Sequence, residues 1–321
     1  MTLTVALAGD TMLGRHVGLR LAAPGHELLA DEVTEIARGA DAFVLNLECC
    51  ISERGARIRL PGKPFFFRAP PVAAERLAEL GVDCVTLANN HALDYGPVAL
   101  LDTLGHLRAA GIATVGAGAD ETEAHAPVAL DVGATRMRIV AASDHPASYA
   151  ARADGPGIAF ADLQAPTIPG WLRTAAMPDR DADVVLVSPH WGPNMQPFPV
   201  PHVRRAATDL EAAGATVIAG HSAHVPQGVS GRTLFDLGDF IDDYAVDRAL
   251  RNDLSLLWLV TLDAGGPQRV EAVPLRLEVA HTRLATRAEA DLLFALLEKR
   301  CTAVGSSVDR DGDRLVFAQR Q

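Results

Sequence analysis

The sequence predicts a layered α/β protein, and three observations carry that prediction. Short apolar, β-rich runs recur along the chain, helical patterns lie between several of them, and most runs end in glycine or polar residues. Continuous apolar runs of this kind suit strands that are covered on both faces.

Taken in order, the strand-like runs are LTVALAGD, AFVLNLE, CVTLANNH, IATVGAG, MRIVAASD, DVVLVSPHWG and ATVIAGHSAH. PPVAAERLAELG opens on prolines and stops at Gly81, and PVALLDTLGHLRAAG stops at Gly111, which is helix punctuation. From Arg232 to Pro274 the character changes: TLFDLGDF and LSLLWLVTLD read as strands separated by an acidic loop. QRVEAVPLRLEVA alternates like an antiparallel strand, and TRAEADLLFALLEKRCTAVG reads as a terminal helix. No repeat or low-complexity linker divides the chain, so it reads as a single domain over residues 1–321, with a C-terminal strand and helix after about residue 265. PNMQPFPVPH and RIRLPGKPFFFRAPP are the candidate mobile rims.

Composition removes several classes of function. With 49% hydrophobic and 21% charged residues, disorder is not the default. A formal charge of −11 argues against a non-specific nucleic-acid binder, which needs a basic surface. Cys49, Cys50, Cys84 and Cys301 form neither a CxxC pair nor a regular framework and read as packing thiols. The chain enters a strand-like run at once and holds no apolar run near the ~20 residues that span a bilayer. A soluble cytoplasmic protein without a membrane anchor is expected.

Five of the strand-like runs end in potential metal ligands: Asp10; Asn46 and Glu48; Asn89, Asn90 and His91; His190; and His221 with His224. In α/β sheets, ligands bind beyond the carboxyl ends of strands, where loops converge. Imidazoles with carboxylates and an amide oxygen form a mixed nitrogen and oxygen set suited to Zn²⁺, Mn²⁺ or Fe²⁺. One carboxylate can bridge two such ions, so one or two metals are expected. Singly, each residue has a plainer account: Asn89 and Asn90 suit a helix cap, Asp10 a turn after Gly9, and Glu48 a salt bridge.

The ordered motifs GDTMLGR, NLE, GKPFFFRAPP, GVDCVTLANNHALDYG, HWG, GHSAHVPQ and LGDFIDD, over about residues 3 to 262, resemble those of the CapA family. These are bacterial capsule-synthesis, or poly-γ-glutamate biosynthesis, proteins, and the family is similar to the calcineurin-like metallophosphoesterases. The resemblance implies a four-layer αββα double β-sandwich. It makes Asp10 a ligand of the first metal and Glu48 the bridging carboxylate. Asn90, His190 and His221 would bind the second metal, His224 would return to the first, and His91 would protonate the leaving group. Two departures stand out: the phosphoesterase pattern begins Asp-x-His, whereas Thr11 and Met12 follow Asp10, and the bridging position holds Glu48 rather than aspartate.

The expected activity is metal-dependent hydrolysis of a phosphoester or amide in a small-molecule or peptide substrate, with a metal-bound hydroxide as nucleophile. One alternative is a metal-dependent peptide Cα epimerase, with Asp10 as one base and His91 or His224 opposite. Another is a non-catalytic accessory protein of capsule or poly-γ-glutamate biosynthesis. Lys63 and Arg68 could bind an anionic group of the substrate or form a solvated basic edge, and Asp94 could orient His91 or cap a helix. Asp239, Asp242 and Asp243 read as a solvated loop or part of the rim. His145 or His281 could approach the site; His16, His26, His106, His125 and His202 read as surface or packing residues. GHSAH lacks the glycine of a nucleophile elbow, and GAGADE lacks the third glycine of a dinucleotide fingerprint.

Overall fold

The computed structural model describes residues 2–23, 25, 27–178 and 182–319. His26 lies outside the described residues. The fold is mixed α/β with several sheets. The largest sheet orders its strands as Ser306–Asp311, Arg314–Gln319, Gly266–Glu278, Leu254–Asp263, Leu3–Thr11, Ala42–Leu47, Cys84–Thr86 and Ala113–Val115. Asp239–Ile241 pairs with Leu3–Thr11, and His281–Leu284 pairs with Gly266–Glu278. The second sheet orders Val229–Ser230, Thr233–Leu234, Val217–Ala219, Val184–His190, Thr135–Ser143 and Val128–Val132.

The four strands from Leu3–Thr11 to Ala113–Val115 are mutually parallel, as are the four central strands of the second sheet. Their carboxyl ends carry the five polar termini read from the sequence. Side chains alternate between cores, as strand geometry requires. Val5 and Leu7 join Ile139, Leu186, Val217 and Trp258 in a core shared by both sheets. Ala6 and Ala8 instead meet Leu77, Leu100 and Leu104 from the helices Val72–Glu79 and Pro97–Ala109. Val185 and Val187 meet Val203 and Leu210 of Pro201–Ala213. Gly81 and Gly111 follow the first two helices at φ 86° and 79°, a left-handed stop that glycine takes without strain.

Two segments differ from the expectation. TLFDLGDF does not form one strand, because the Asp236 carboxylate accepts the Gly238 N–H at 2.9 Å and Gly238 turns to φ 82°. The chain thereby passes from the second sheet at Leu234 to the first at Asp239. Beyond the expected helix Arg287–Thr302, a hairpin of Ser306–Asp311 and Arg314–Gln319 extends the first sheet. Its two-residue loop places Gly312 at φ 61°, a hairpin signal legible in the sequence.

All four cysteines are buried. Burial raises the Cys49 and Cys84 thiols above their ordinary range, which keeps them protonated packing groups. Among the described residues, no helix is long and apolar enough to cross a membrane.

Candidate metal centre

Parallel pairing of Asp10 with Asn46 lets the Asn46 amide donate to Asp10 Oδ1 at 2.8 Å, and Glu48 follows at the strand end. From the second sheet, His190 and His221 meet through an isolated bridge. His221 Nδ1 stands 3.3 Å from Asp10 Oδ1, and His224 Nδ1 stands 3.2 Å from Asp10 Oδ2 and 3.9 Å from Glu48 Oε2. His190 Nε2 is 4.0 Å from Glu48 Oε1. Ser222 and His224 sit at φ 106° and 59°, conformations costly for non-glycine residues and held only by their surroundings. The Ser222 N–H donates to Asp10 Oδ2 at 3.3 Å, and the Ala223 N–H to Asp236 at 2.7 Å.

Asn89 is not a ligand candidate by geometry. Its amide donates to Asn46 Oδ1 at 3.1 Å and to the Leu47 carbonyl at 2.9 Å, and its own oxygen accepts the His91 N–H at 3.0 Å. It ties the ANNH turn to the neighbouring strand, leaving the Asn90 side-chain oxygen buried without a partner.

The solvated-loop reading of Asp239, Asp242 and Asp243 is overturned by burial. Asp239 is fully enclosed, Asp242 is 6% exposed, and Asp243 holds the Arg15 guanidinium in an ion pair. Asp239 pairs in register with Asp10, and its Oδ1 lies 2.8 Å from His224 Nδ1. A run of acidic residues beside glycine ordinarily reads as solvated, and only the strand pairing reveals otherwise. Tyr244, whose hydroxyl donates to Glu48 Oε2 at 3.2 Å, gives no sequence signal beyond its place after that loop.

Lys63 and Arg68 take different places from those of substrate-binding residues. The Lys63 ammonium is buried, 2.7 Å from the Asn90 carbonyl and 3.0 Å from Asp94 Oδ1. Arg68 lies over the Tyr95 ring at 4.1 Å and does not line the cavity described below. Asp94 takes the orienting place: its Oδ2 stands 2.6 Å from His91 Nδ1 and accepts the Phe67 N–H at 2.6 Å, and Tyr149 donates to Oδ1 at 3.3 Å. Phe67 stacks on His91 with ring centroids 4.0 Å apart. His145 approaches the centre, its ring 5.3 Å from that of His190, whereas His281 Nδ1 is bonded to the Glu27 carbonyl.

Electrostatics in this pocket are those of donors lacking enough positive charge. Burial and the Asp10 charge push Glu48 up to about 8. Burial also raises Asp239 well above the carboxylate range, despite His224 beside it. For Asp10, burial is outweighed by His221 and His224, which hold it well below that range. Burial pushes His190 well down, and takes His91 down to about 4 against the pull of Asp94, so both are neutral near pH 7. Buried polar atoms without partners remain on Glu48, Asn90, His190, His221 and Asp239. Native interiors rarely tolerate such atoms unpaired, and divalent cations held among them would supply partners. Two groups place one ligand atom from each member within 4.8 Å of the others: Asp10, Glu48 and His190; and Asp10, His224 and Asp239. The donor set fits a metal.

A cavity of about 560 Å³ opens onto this region, lined by His91 and His224 on one side and Phe65, Phe67, Met195 and Tyr244 around it. Arg15 lies over the Phe67 and Tyr244 rings at 4.9 and 5.4 Å. Both candidate rims contribute, one through Phe65 and Phe67 and the other through Asn194 and Met195.

Residues 4–244 match the family model described as bacterial capsule synthesis protein PGA_cap. The chain belongs to this family. A Mycobacterium tuberculosis relative, named as a probable polyglutamine synthesis accessory protein, is 30% identical over an alignment covering 98% of this chain and 95% of its own. The PGA biosynthesis protein CapA of Bacillus subtilis is 27% identical, with 87% of this chain and 72% of that protein aligned. Among solved structures, a hypothetical protein from Thermus thermophilus aligns with a TM-score of 0.47 and 16% identity, covering 85% of this chain and 99% of that one. The CapA family expected from the motifs is thus the family found.

Proposed function

We propose that this CapA-family chain is a metal-dependent hydrolase that cuts a phosphoester or amide bond in a small-molecule or peptide substrate. We read it as one domain with the four-layer αββα plan of calcineurin-like metallophosphoesterases; the core shared by two sheets, with a helix-facing core on each outer side, supports that plan. The observation that carries the activity is the set of unpartnered buried atoms on Glu48, Asn90, His190 and His221, of which those of Glu48 and His190 group with Asp10 and that of His221 lies 3.3 Å from it, next to a cavity lined by His91 and His224.

Asp10, Glu48, Asn90, His190, His221 and His224 would hold one or two ions of Mn²⁺, Zn²⁺ or Fe²⁺. When bound, such an ion activates water and polarises the bond under attack. His91, neutral and fixed by Asp94 at Nδ1 and by the Phe67 ring, would first take a proton at Nε2 from the attacking water and then pass it to the leaving group. The apolar cavity walls would exclude bulk water, and Arg15 would face the substrate from above the aromatic rings. The test is metal analysis of the purified protein, followed by hydrolysis assays on bis(p-nitrophenyl) phosphate and on poly-γ-glutamate. Absence of bound transition metal, with no change in melting temperature on adding Mn²⁺ or Zn²⁺, would sink the proposal.

The names of the relatives favour a second reading, an accessory role in polyglutamate biosynthesis. It predicts polymer binding that survives His91→Ala and no turnover by the wild type. Epimerisation has less support, because Asp10 is enclosed by Asn46, Ser222, His221 and His224 and offers no unengaged oxygen as a base. Incubation of a peptide in D₂O separates it: label at Cα without cleavage is its signature.

A further inference from the structure

We propose that Asp239 is a metal ligand that replaces the histidine absent after Asp10, so that one half of the centre is oxygen-rich, with one imidazole, and the other holds two imidazoles. This rests on the metal-dependent reading above. The residues after Asp10 are engaged elsewhere: the Thr11 hydroxyl donates to the Gly9 carbonyl at 3.1 Å, and Met12 Sδ accepts the Gly14 N–H at 3.0 Å. Neither supplies the missing donor. Asp239 arrives at the same place from the far side of the sheet, in register with Asp10, the Asp10 N–H donating to the Gly238 carbonyl at 2.9 Å.

The approach is specific to glycine at position 9, where a Cβ would fall 1.7 Å from the Gly238 carbonyl oxygen. Asp239 Oδ1 and Asp10 Oδ2 lie 2.8 and 3.2 Å from the same His224 nitrogen, Nδ1, so two carboxylates and one imidazole converge on one place. Asp239 Oδ2 is buried and unpartnered. Asp10, Asp239 and His224 therefore form a donor set of two carboxylates and one imidazole. Glu48, Asn90, His190 and His221 supply two imidazoles to the other half. Oxygen-rich sets favour harder ions such as Mn²⁺, and imidazole-rich sets favour Zn²⁺.

The test uses the full chain, stripped of metal and titrated with Mn²⁺ followed by electron paramagnetic resonance and with Zn²⁺ followed by calorimetry. Wild type should bind Mn²⁺ in the oxygen-rich half. Asp239→Ala should weaken that Mn²⁺ by about tenfold or more while a Zn²⁺ equivalent remains, and Asp239→His should restore a second ion with its preference moved from Mn²⁺ to Zn²⁺. Near-isosteric Asp239→Asn, checked by circular dichroism, carries the test should alanine fail to fold, and should also weaken Mn²⁺ more than Zn²⁺. Wild-type metal binding with unchanged Mn²⁺ affinity in the variants overturns this inference alone. Equal weakening of Mn²⁺ and Zn²⁺ also overturns it, because it marks a residue that only positions His224. A wild type that binds no metal overturns both this inference and the functional reading beneath it.

Discussion

Asp94 joins three duties in one buried carboxylate: it holds His91, neutralises Lys63 and accepts the Phe67 N–H. Removing it by Asp94→Ala leaves an ammonium buried without its partner, so a loss of about 3–5 kcal/mol is expected in urea melts. His91→Ala spares that pair, and should lower kcat by about 10²–10⁴ with melting behaviour close to wild type. Equal kcat for wild type and His91→Ala would remove His91 from the chemistry. Gly9→Ala drives a methyl into the Gly238 carbonyl and should cost about 1–3 kcal/mol, read by the same melts. At this scale the sequence marked Asp10, Glu48, Asn90, His190, His221 and His224 as candidates because each closes or closely follows an apolar run. Asp239 was illegible because its burial depends on pairing with a strand at the other end of the chain. Lys63 beside three phenylalanines looked like a rim cation, and nothing local announces that Asp94 will engage it.

Among the elements, the helix Arg287–Thr302 has the clearest local logic. Thr286 and Glu289 form a reciprocal capping box, and Glu289 also binds Arg283. Thr286→Ala should cost about 1 kcal/mol in the urea midpoint analysis. The Glu289 carboxyl is held down to about 2, chiefly by hydrogen bonding to Arg283. A carboxyl depressed in the folded state stabilises fully above its unfolded value and loses that contribution as pH falls through the folded one. The stability gap between wild type and Glu289→Gln should therefore be largest near pH 7 and shrink between about pH 4.5 and 2. A gap that widens on acidification would refute the linkage. This helix was readable from its cap and periodicity. The break inside TLFDLGDF was harder to read, since its apolar alternation continues through the Asp236 turn that splits it between sheets.

For the whole molecule, the alternation of buried runs with helices was enough to predict an α/β fold, but not the strand order that folds Asp239 back onto Asp10. A divalent ion at about a hundred times its Kd should add about 2.7 kcal/mol and raise Tm by several degrees, with chelator reversing the gain in scanning fluorimetry. That same return of Asp239–Ile241 to the first strand also sets a timetable. The candidate donors at residues 10, 48 and 90 leave the ribosome long before residue 239 does. At the usual pace of synthesis, the gap between the first strand and its late partner lasts roughly 10 to 50 s. Until then the opening strand lacks that neighbour, and the cluster of acids cannot assemble. On the role proposed for Asp239, the oxygen-rich half of the centre is completed late in folding, and a chain whose Asp239–Ile241 strand cannot return to Leu3–Thr11 should lose Mn²⁺ from that half.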